Sequence, residues 1–338
     1  MTKWDDEYIK LCKEILTKGK EVENRTGINT IKIPSWHFHF DLGEEYPILE
    51  TKQLFIRQAL LEMMWIYQAK SNDVRWLKDR NVHIWDEWEI DEDGLWKATQ
   101  NVVKDGKLVK EDIVKDFGKD MAHTIGTAYG YIVNKFGLTD RVINMIKNNP
   151  NDRRCVVSLW QDDYVPTAVL PSCVWSSEWD VTDNKLNAWV HQRSCDVPLG
   201  LPFNVSQYSA LLTMLAKTNG LEPGTLDWSI KDAHIYVNQI DGIKEQVKNW
   251  EILKDFESKS KDELIKIKDE LESKKEELTK EETKKLSAAE ICLEDKKPEL
   301  WLNPEVKSFY DYDNSKDCKD AKVLNYKHMG KIEFPIAQ

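Results

Sequence analysis

The sequence predicts an α+β fold, on three observations. Period-two alternation marks strands at Thr30–Ile33 and Trp36–Phe40, with further strand-like runs at 154–160, 172–182, 185–193 and 227–237. Helical segments are equally plain: 4–20 repeats apolar groups at Tyr8, Leu11, Cys12 and Ile15, and 55–70 and 204–219 read as further helices. The chain has 338 residues, enough for one large domain or two ordinary ones and for a generous core without staples.

In chain order, Asn24-Arg25-Thr26-Gly27 is a turn between the first helix and the first strands. Helix 55–70 carries a lone acid, Glu62, among Leu60, Leu61, Met63, Met64 and Trp65. Residues 92–120 read as charged and irregular. A helix over 139–148 ends at Asn148-Asn149-Pro150, and a last helix starts at Asn238. Composition changes near Lys254, and 254–297 is dominated by Lys, Glu, Asp and Ser. Leu264, Ile267, Leu271 and Leu278 are spaced for a helix, but Lys274 interrupts them, so a solvated helix or short helical hairpin is expected. Aromatic, patterned sequence resumes at Pro298-Glu299-Leu300-Trp301. Residues 1–338 are therefore expected to form a single domain, with 254–297 as a charged helical insertion.

Composition excludes several roles. A net charge of −11 argues against a nucleic-acid surface, though a few arginines suffice for one phosphate. Met1–Glu7 is charged, unlike a signal peptide, and no apolar run approaches the roughly 18 residues of a membrane span. Six scattered cysteines without metal-type spacing suit free thiols, no metal site and a reducing cytoplasm, the host's if the protein is viral. Most of the 14 tryptophans are expected in the core, and a few as flat walls against a ring.

The chemistry concentrates in Gln192–Asn204, where Arg193, Ser194, Asp196, Gly200 and Asn204 supply a cation, a hydroxyl, a carboxylate, a glycine and an amide. Such groups suit a phosphate and the polar edge of a flat ring. Cys173 is either a buried core thiol or a nucleophile, and Arg193 on a neighbouring strand could favour its thiolate. Arg153 and Arg154, read as strand neighbours on opposite faces, join Arg25 and Arg193 as four guanidinium groups near turns. Glu62 is either the partner of a buried arginine or a proton-transfer group whose pKa burial raises. Asp232, His234 and Tyr236 share one face of a strand. Asn204 is a helix N-cap or a reader of a base edge. Trp85 and Trp88, three apart, are core or cofactor wall.

Together these residues resemble thymidylate synthase of the folate-dependent type. The matching segments are Arg25-Thr26-Gly27, Thr51-Lys52 with Glu62, Ile84–Trp88, Ala128-Tyr129-Gly130, Arg153-Arg154, Cys173, the block 192–208 and Asp232–Tyr236. They run in family order along nearly the whole chain, and 192–204 is the most specific. Val174 after the cysteine, and the 298–338 segment, resemble a Bacillus-type branch.

The resemblance implies a large mixed β-sheet packed with helices, one sheet face lying at a homodimer interface. It implies one-carbon transfer from methylenetetrahydrofolate to carbon 5 of dUMP, giving dTMP and dihydrofolate. Cys173 would add to carbon 6. Arg25, Arg153, Arg154 and Arg193 would hold the phosphate with Ser194, and Arg153 and Arg154 would come from the partner subunit. Asn204 would read uracil, and His234 and Tyr236 the deoxyribose. Cys195 and Asp196 fall among the nucleotide contacts. Glu62 would organise proton transfer and Tyr129 help remove the carbon 5 proton, with Asp232 also in the catalytic group. Phe55, Ile84, Trp85, Trp88, Asp196, Leu199, Gly200, Phe203, Ile336 and Ala337 would line or close the folate site.

Departures from the family pattern are Phe55, Val174, Lys231, Gln239 (a common histidine position) and the final Gln338. Two other readings stand beside the synthase. A deoxyuridylate hydroxymethylase would send water, not hydride, to the exocyclic methylene; Trp85, Leu170 and Ile336 favour water exclusion and hence methylation. Asn204 suits uracil rather than cytosine. An inactive relative acting as a binding protein is disfavoured by the complete set of site residues.

Overall fold

The structure, a computed structural model, describes residues 1–24, 26–104, 107–274 and 277–336, with backbone only over 100–104 and 107–108. The elements run α1 (Lys3–Lys18), β1 (Lys20–Val22), β2 (Thr30–Asp41), α2 (Ile56–Tyr67), α3 (Val74–Lys78), β3 (Leu95–Lys104) and β4 (Lys107–Asp116). Then come α4 (Gly130–Phe136), α5 (Leu138–Asn148), β5 (Val156–Ser158), β6 (Val174–Thr182), β7 (Lys185–Gln192), β8 (Cys195–Asp196), α6 (Gly200–Thr218) and β9 (Glu222–Tyr236). The chain continues through α7 (Ile240–Glu257), α8 (Lys261–Ser273), α9 (Lys280–Cys292), β10 (Glu299–Leu302) and β11 (Ala321–Leu324).

The main sheet has the order β1-β2-β9-β7-β6-β5, with β8 also beside β9. β9 pairs in parallel with β7 and β8, and the other pairs are antiparallel, so the expected mixed sheet is present. One face is sealed by α1 and α6 over Phe38, Phe40, Val190, Leu226, Trp228 and Ile230. The other face stays open, with Trp175 39% and Trp189 47% exposed. Alternation explains the split: along β7, Leu186, Ala188, Val190 and Gln192 point inward and their neighbours outward.

β9 changes phase at Asp232, whose φ of 58° lies in the left-handed region. The buried apolar residues are Leu226, Trp228 and Ile230 before it, Ala233 and Ile235 after it, with His234 buried between the last two. The kink falls between the Ile33–Ala233 and Ser35–Lys231 pairs, opposite Pro34, which has no N–H to donate. Asp232, His234 and Tyr236 thereby come to one side: His234 Nδ1 lies 3.4 Å from Asp232 Oδ2, and the His234 and Tyr236 rings meet edge-on at 5.3 Å.

Four sequence expectations need correction. Residues 95–104 and 107–116 pair as the antiparallel strands β3 and β4, not irregular chain; Trp96 packs with Ile90 and Val169 beneath them. An Asp-Gly dipeptide between two strand-like runs is a sequence signal for such pairing; the one at 105–106 lies outside the described residues. Arg153 and Arg154 lie in the turn before β5, so strand alternation does not separate them. Asn204 is inside α6, which begins at Gly200, and is not its N-cap. Finally, α7 runs through Lys254 to Glu257, and α8 and α9 form a hairpin upon it with a small core of their own. Leu253, Phe256, Leu264, Ala288, Ala289 and Ile291 fill that core together with Met329, so the stretch is not wholly solvated.

Candidate active site

Cys173 stands at the entry to β6, next to β7, and the strand pairing brings Arg193 beside it. The Arg193 N–H donates to the Cys173 carbonyl at 2.9 Å. Its guanidinium donates to the carbonyls of Ser172 (3.0 Å) and Pro171 (2.7 Å), and Nη2 lies 4.0 Å from Cys173 Sγ. Trp160 backs the group at 5.3 Å. A fixed cation against a half-buried sulfur is the arrangement that favours a thiolate. Cys195 is fully enclosed and burial pushes its thiol up, so its side chain is not presented as a nucleophile.

On its other side Cys173 meets Tyr129, whose hydroxyl accepts from the Cys173 N–H at 3.0 Å. Tyr129 has φ 45°, a strained value for a non-glycine residue, at the start of α4. Gly130 follows it because a Cβ there would fall 1.8 Å from the Ser71 carbonyl oxygen. That close approach helps set the Tyr129 ring, which packs edge-on to Trp85 at 5.4 Å.

A buried chain of hydrogen bonds crosses the core behind these groups. The Trp228 indole donates to Gln192 Oε1 (3.0 Å), Gln192 Nε2 to Asn204 Oδ1 (3.2 Å), and Asn204 Nδ2 to Gln207 Oε1 (3.2 Å). Gln207 Nε2 donates to Glu62 Oε2, and the Trp85 indole to Glu62 Oε1 at 2.7 Å. An indole can only donate and an ionised carboxylate only accept, so Trp228 and Glu62 at the two ends fix the direction of every bond between them. The amides of Gln192, Asn204 and Gln207 therefore have one orientation each. Glu62 is ringed by donors, yet burial still raises its pKa to about 7. Glu62, Trp85, Asn204 and Gln207, with Tyr67, Tyr129, Val174 and Tyr208, line a cavity of about 70 Å³, room enough for water.

Around Asp232, Ser194 Oγ donates to Oδ2 at 3.2 Å and Lys32 Nζ reaches Oδ1 at 2.6 Å. The hydrogen bond with His234 and the Lys32 ammonium hold the Asp232 carboxyl below its ordinary range. Across the site, Asp196 accepts from Leu199 N–H (3.1 Å) and Gln239 Nε2 (3.2 Å), and burial raises its pKa. Ile84, Trp88, Leu199 and Phe203 are partly buried against the core, Trp85 is buried, and Phe55 and Ile336 are 41% and 56% exposed. Gly200, the first residue of α6, is also partly exposed. Arg153 and Arg154 are exposed, and Arg154 pairs with Asp152 at 2.9 Å. Arg25 and Ala337 lie outside the described residues.

Sequence reasoning assigned no role to Gln192, Gln207, Trp228 or Lys52. Gln207 was within reach, three residues after Asn204 on the same helix face. Lys52 is buried, donates to the Pro198 carbonyl and has its pKa lowered to about 8 by desolvation; nothing in its local sequence signals this. Replacing Trp228 by Phe leaves Gln192 Oε1 without its donor. A loss of about 1–3 kcal/mol is expected in urea unfolding, and an unchanged midpoint would show that the indole does not anchor the chain.

Residues 6–269 match the family model described as thymidylate synthase. Thymidylate synthase from Clostridium beijerinckii is 36% identical over 337 residues, and thymidylate synthase 1 from Bacillus subtilis 32% over 356, with all of each chain covered. The solved thermostable thymidylate synthase A from Bacillus subtilis superposes with a TM-score of 0.71 at 31% identity, again over both whole chains. The chain belongs to the thymidylate synthase family.

Proposed function

We infer that this chain is a thymidylate synthase, a methyltransferase that converts dUMP to dTMP with methylenetetrahydrofolate as co-substrate. The observation that carries the reading is the Arg193 guanidinium 4.0 Å from the Cys173 sulfur, next to a polar chain that ends on a buried carboxyl. Family membership supplies the reaction class.

Uracil carbon 5 is a weak nucleophile. Addition of the Cys173 thiolate at carbon 6 makes an enolate, and carbon 5 then attacks the one-carbon unit. Asn204 has one lone pair and one hydrogen left after its bonds to Gln192 and Gln207, which suits the uracil N–H and carbonyl edge. Glu62, with a pKa near the working pH, exchanges protons with the ring through the cavity. Tyr129 helps take the carbon 5 proton, a role supported by its hydroxyl lying against the Cys173 backbone. Arg193 and Ser194 hold the phosphate, His234 and Tyr236 the deoxyribose, and Asp232 fixes the His234 ring and Ser194 from behind.

The half-buried Trp88, Leu199 and Phe203, with buried Trp85 and the Asp196 carboxylate, suit a flat heteroaromatic with N–H groups. The folate supplies the methylene and the hydride. Trp85, enclosed by Trp65, Trp88 and Tyr129, keeps water from the exocyclic methylene, which favours methylation over hydroxymethylation.

A second copy of the chain covers the open sheet face, where Trp175, Trp189 and Val156 are exposed. Arg153 and Arg154, in the turn before the edge strand β5, reach the partner's phosphate site. The reading places the enzyme in the cytoplasm; among the described residues no helix is long and apolar enough to cross a membrane.

Purified protein with dUMP and methylenetetrahydrofolate is expected to yield dTMP and dihydrofolate, and Cys173→Ala to abolish both; hydroxymethyl-dUMP with tetrahydrofolate would overturn the methylation reading. The pH–rate profile is expected to show a limb near pH 7 from Glu62, absent in Glu62→Gln, whose rate falls by about 10²–10⁴-fold. Persistence of the limb in that variant would remove Glu62 from proton transfer. Mixing inactive Cys173→Ala and Arg154→Ala proteins under subunit exchange is expected to restore turnover, and no recovery would sink the donation of Arg154 across the interface.

A further inference from the structure

The C-terminal segment is tied to the turn that carries Asp196 by two buried side chains, each touching both. Gln239, fully enclosed, donates from its amide nitrogen to Asp196 Oδ2 (3.2 Å) and to the Pro335 carbonyl (3.1 Å). Its oxygen accepts from the Tyr236 N–H at 3.0 Å. Lys52 donates to the Pro198 carbonyl and holds its ammonium 4.7 Å from the centre of the Phe334 ring. On α7, Gly242 leaves the space the ring occupies: a Cβ there would come 2.5 Å from Phe334 Cε1 and 2.9 Å from Cδ1. Phe334 is accordingly 9% exposed, while Ile336 two residues on is 56% exposed.

We propose that Gln239 and Gly242 are positioning residues that dock the tail at Phe334–Pro335 and join it to the Asp196 turn, so that two walls of the folate site form one unit. The proposal rests on the reading of Asp196 and Ile336 as folate-side residues. The residue types fit the task. A carboxamide nitrogen carries two hydrogens and serves two acceptors at once, whereas an imidazole nitrogen carries one. This gives a chemical reason for glutamine where the resemblance leads one to expect histidine. Glycine is poor inside a helix and alanine good, so Gly242, in the first turn of α7, is there for the ring and not for the helix.

The test uses the full-length chain in three forms: Gln239→Leu, Gly242→Ala, and Gly242→Ala combined with Phe334→Leu. In the protein without ligands, amide hydrogen exchange across residues 330–336 is expected to speed up in both single variants. The double variant is expected to regain protection, since leucine lacks the Cε1 atom that the added Cβ would meet most closely and its flexible Cδ atoms can turn away. In turnover, KM for methylenetetrahydrofolate is expected to rise about tenfold in the single variants, the effect of one hydrogen bond or contact, with KM for dUMP unchanged. Wild-type exchange in both single variants would overturn the docking role, and faster exchange with an unchanged folate KM would overturn the positioning role. Exchange needs no turnover, so absence of synthase activity in the wild-type protein would count against the functional reading and not against the docking.

Discussion

Everything at the centre of this molecule is arranged around one buried carboxyl. Glu62 sits on α2 among Leu60, Leu61, Met63 and Met64, where an ionised group without partners costs several kcal/mol. Two oxygens need donors, and the two donors come from separate elements: Trp85 from the loop after α3, and Gln207 from α6. Gln207 in turn needs a donor for its own oxygen, which Asn204 supplies, and the demand passes on through Gln192 to Trp228 on β9. One carboxyl thereby fixes the mutual placement of α2, α6, β7 and β9. The same demand sets the polarity of Asn204, so the group read as facing uracil is oriented before any ligand arrives, which is what preorganisation requires.

The nucleotide half of the site depends on a different constraint, the phase change in β9. Without the left-handed backbone at Asp232, the even-numbered inward alternation of Leu226, Trp228 and Ile230 would continue and turn Asp232 and His234 into the core. The kink keeps the apolar side sealed with Ala233 and Ile235 while leaving a polar row beside Ser194 and Lys32. Strain at one residue is the cost of having a single strand serve as core wall above and ligand wall below.

Much of this was legible in the sequence. The strands and the larger helices follow from period, and the proximity of Cys173 and Arg193 follows from their lying on neighbouring strand-like runs. What was not legible was tertiary in origin. Gln192 looked like one more polar residue; only β9 packing against it gives it Trp228 as a donor. Asn204 has the chemistry of an N-cap, but α6 begins four residues earlier, at Gly200. The strand pair 95–104 and 107–116 was hidden by charge, because among its described side chains few besides Trp96 are covered and the alternation is correspondingly faint. The donation of Arg153 and Arg154 by a partner subunit and the role of the tail came from the resemblance, whereas a phosphate role for the arginines and a cofactor wall for the tryptophans were already open readings of the residues themselves.

Helix α7 crosses the point at which the composition changes. Gln239 just before it, then Gly242, Gln246, Asn249, Leu253 and Phe256, are spaced three and four apart and form one stripe. The stripe's first part receives Phe334 and the Pro335 carbonyl. Its middle is polar: Gln246 donates to the Thr51 hydroxyl and Asn249 to the Thr51 carbonyl, both at 2.9 Å, beside the buried Lys52. Its end is apolar and enters the small core shared with α8 and α9. The exposed face of α7 is charged from Asp241 through Lys244, Lys248 and Glu251 to Asp255, so the change of composition at 254 marks no helix end and the helix continues to 257. One helix face thus supports the tail, the Thr51–Lys52 corner and the charged hairpin in succession, and the buried amides on it answer to acceptors in the Thr51–Lys52 corner, not to helix stability.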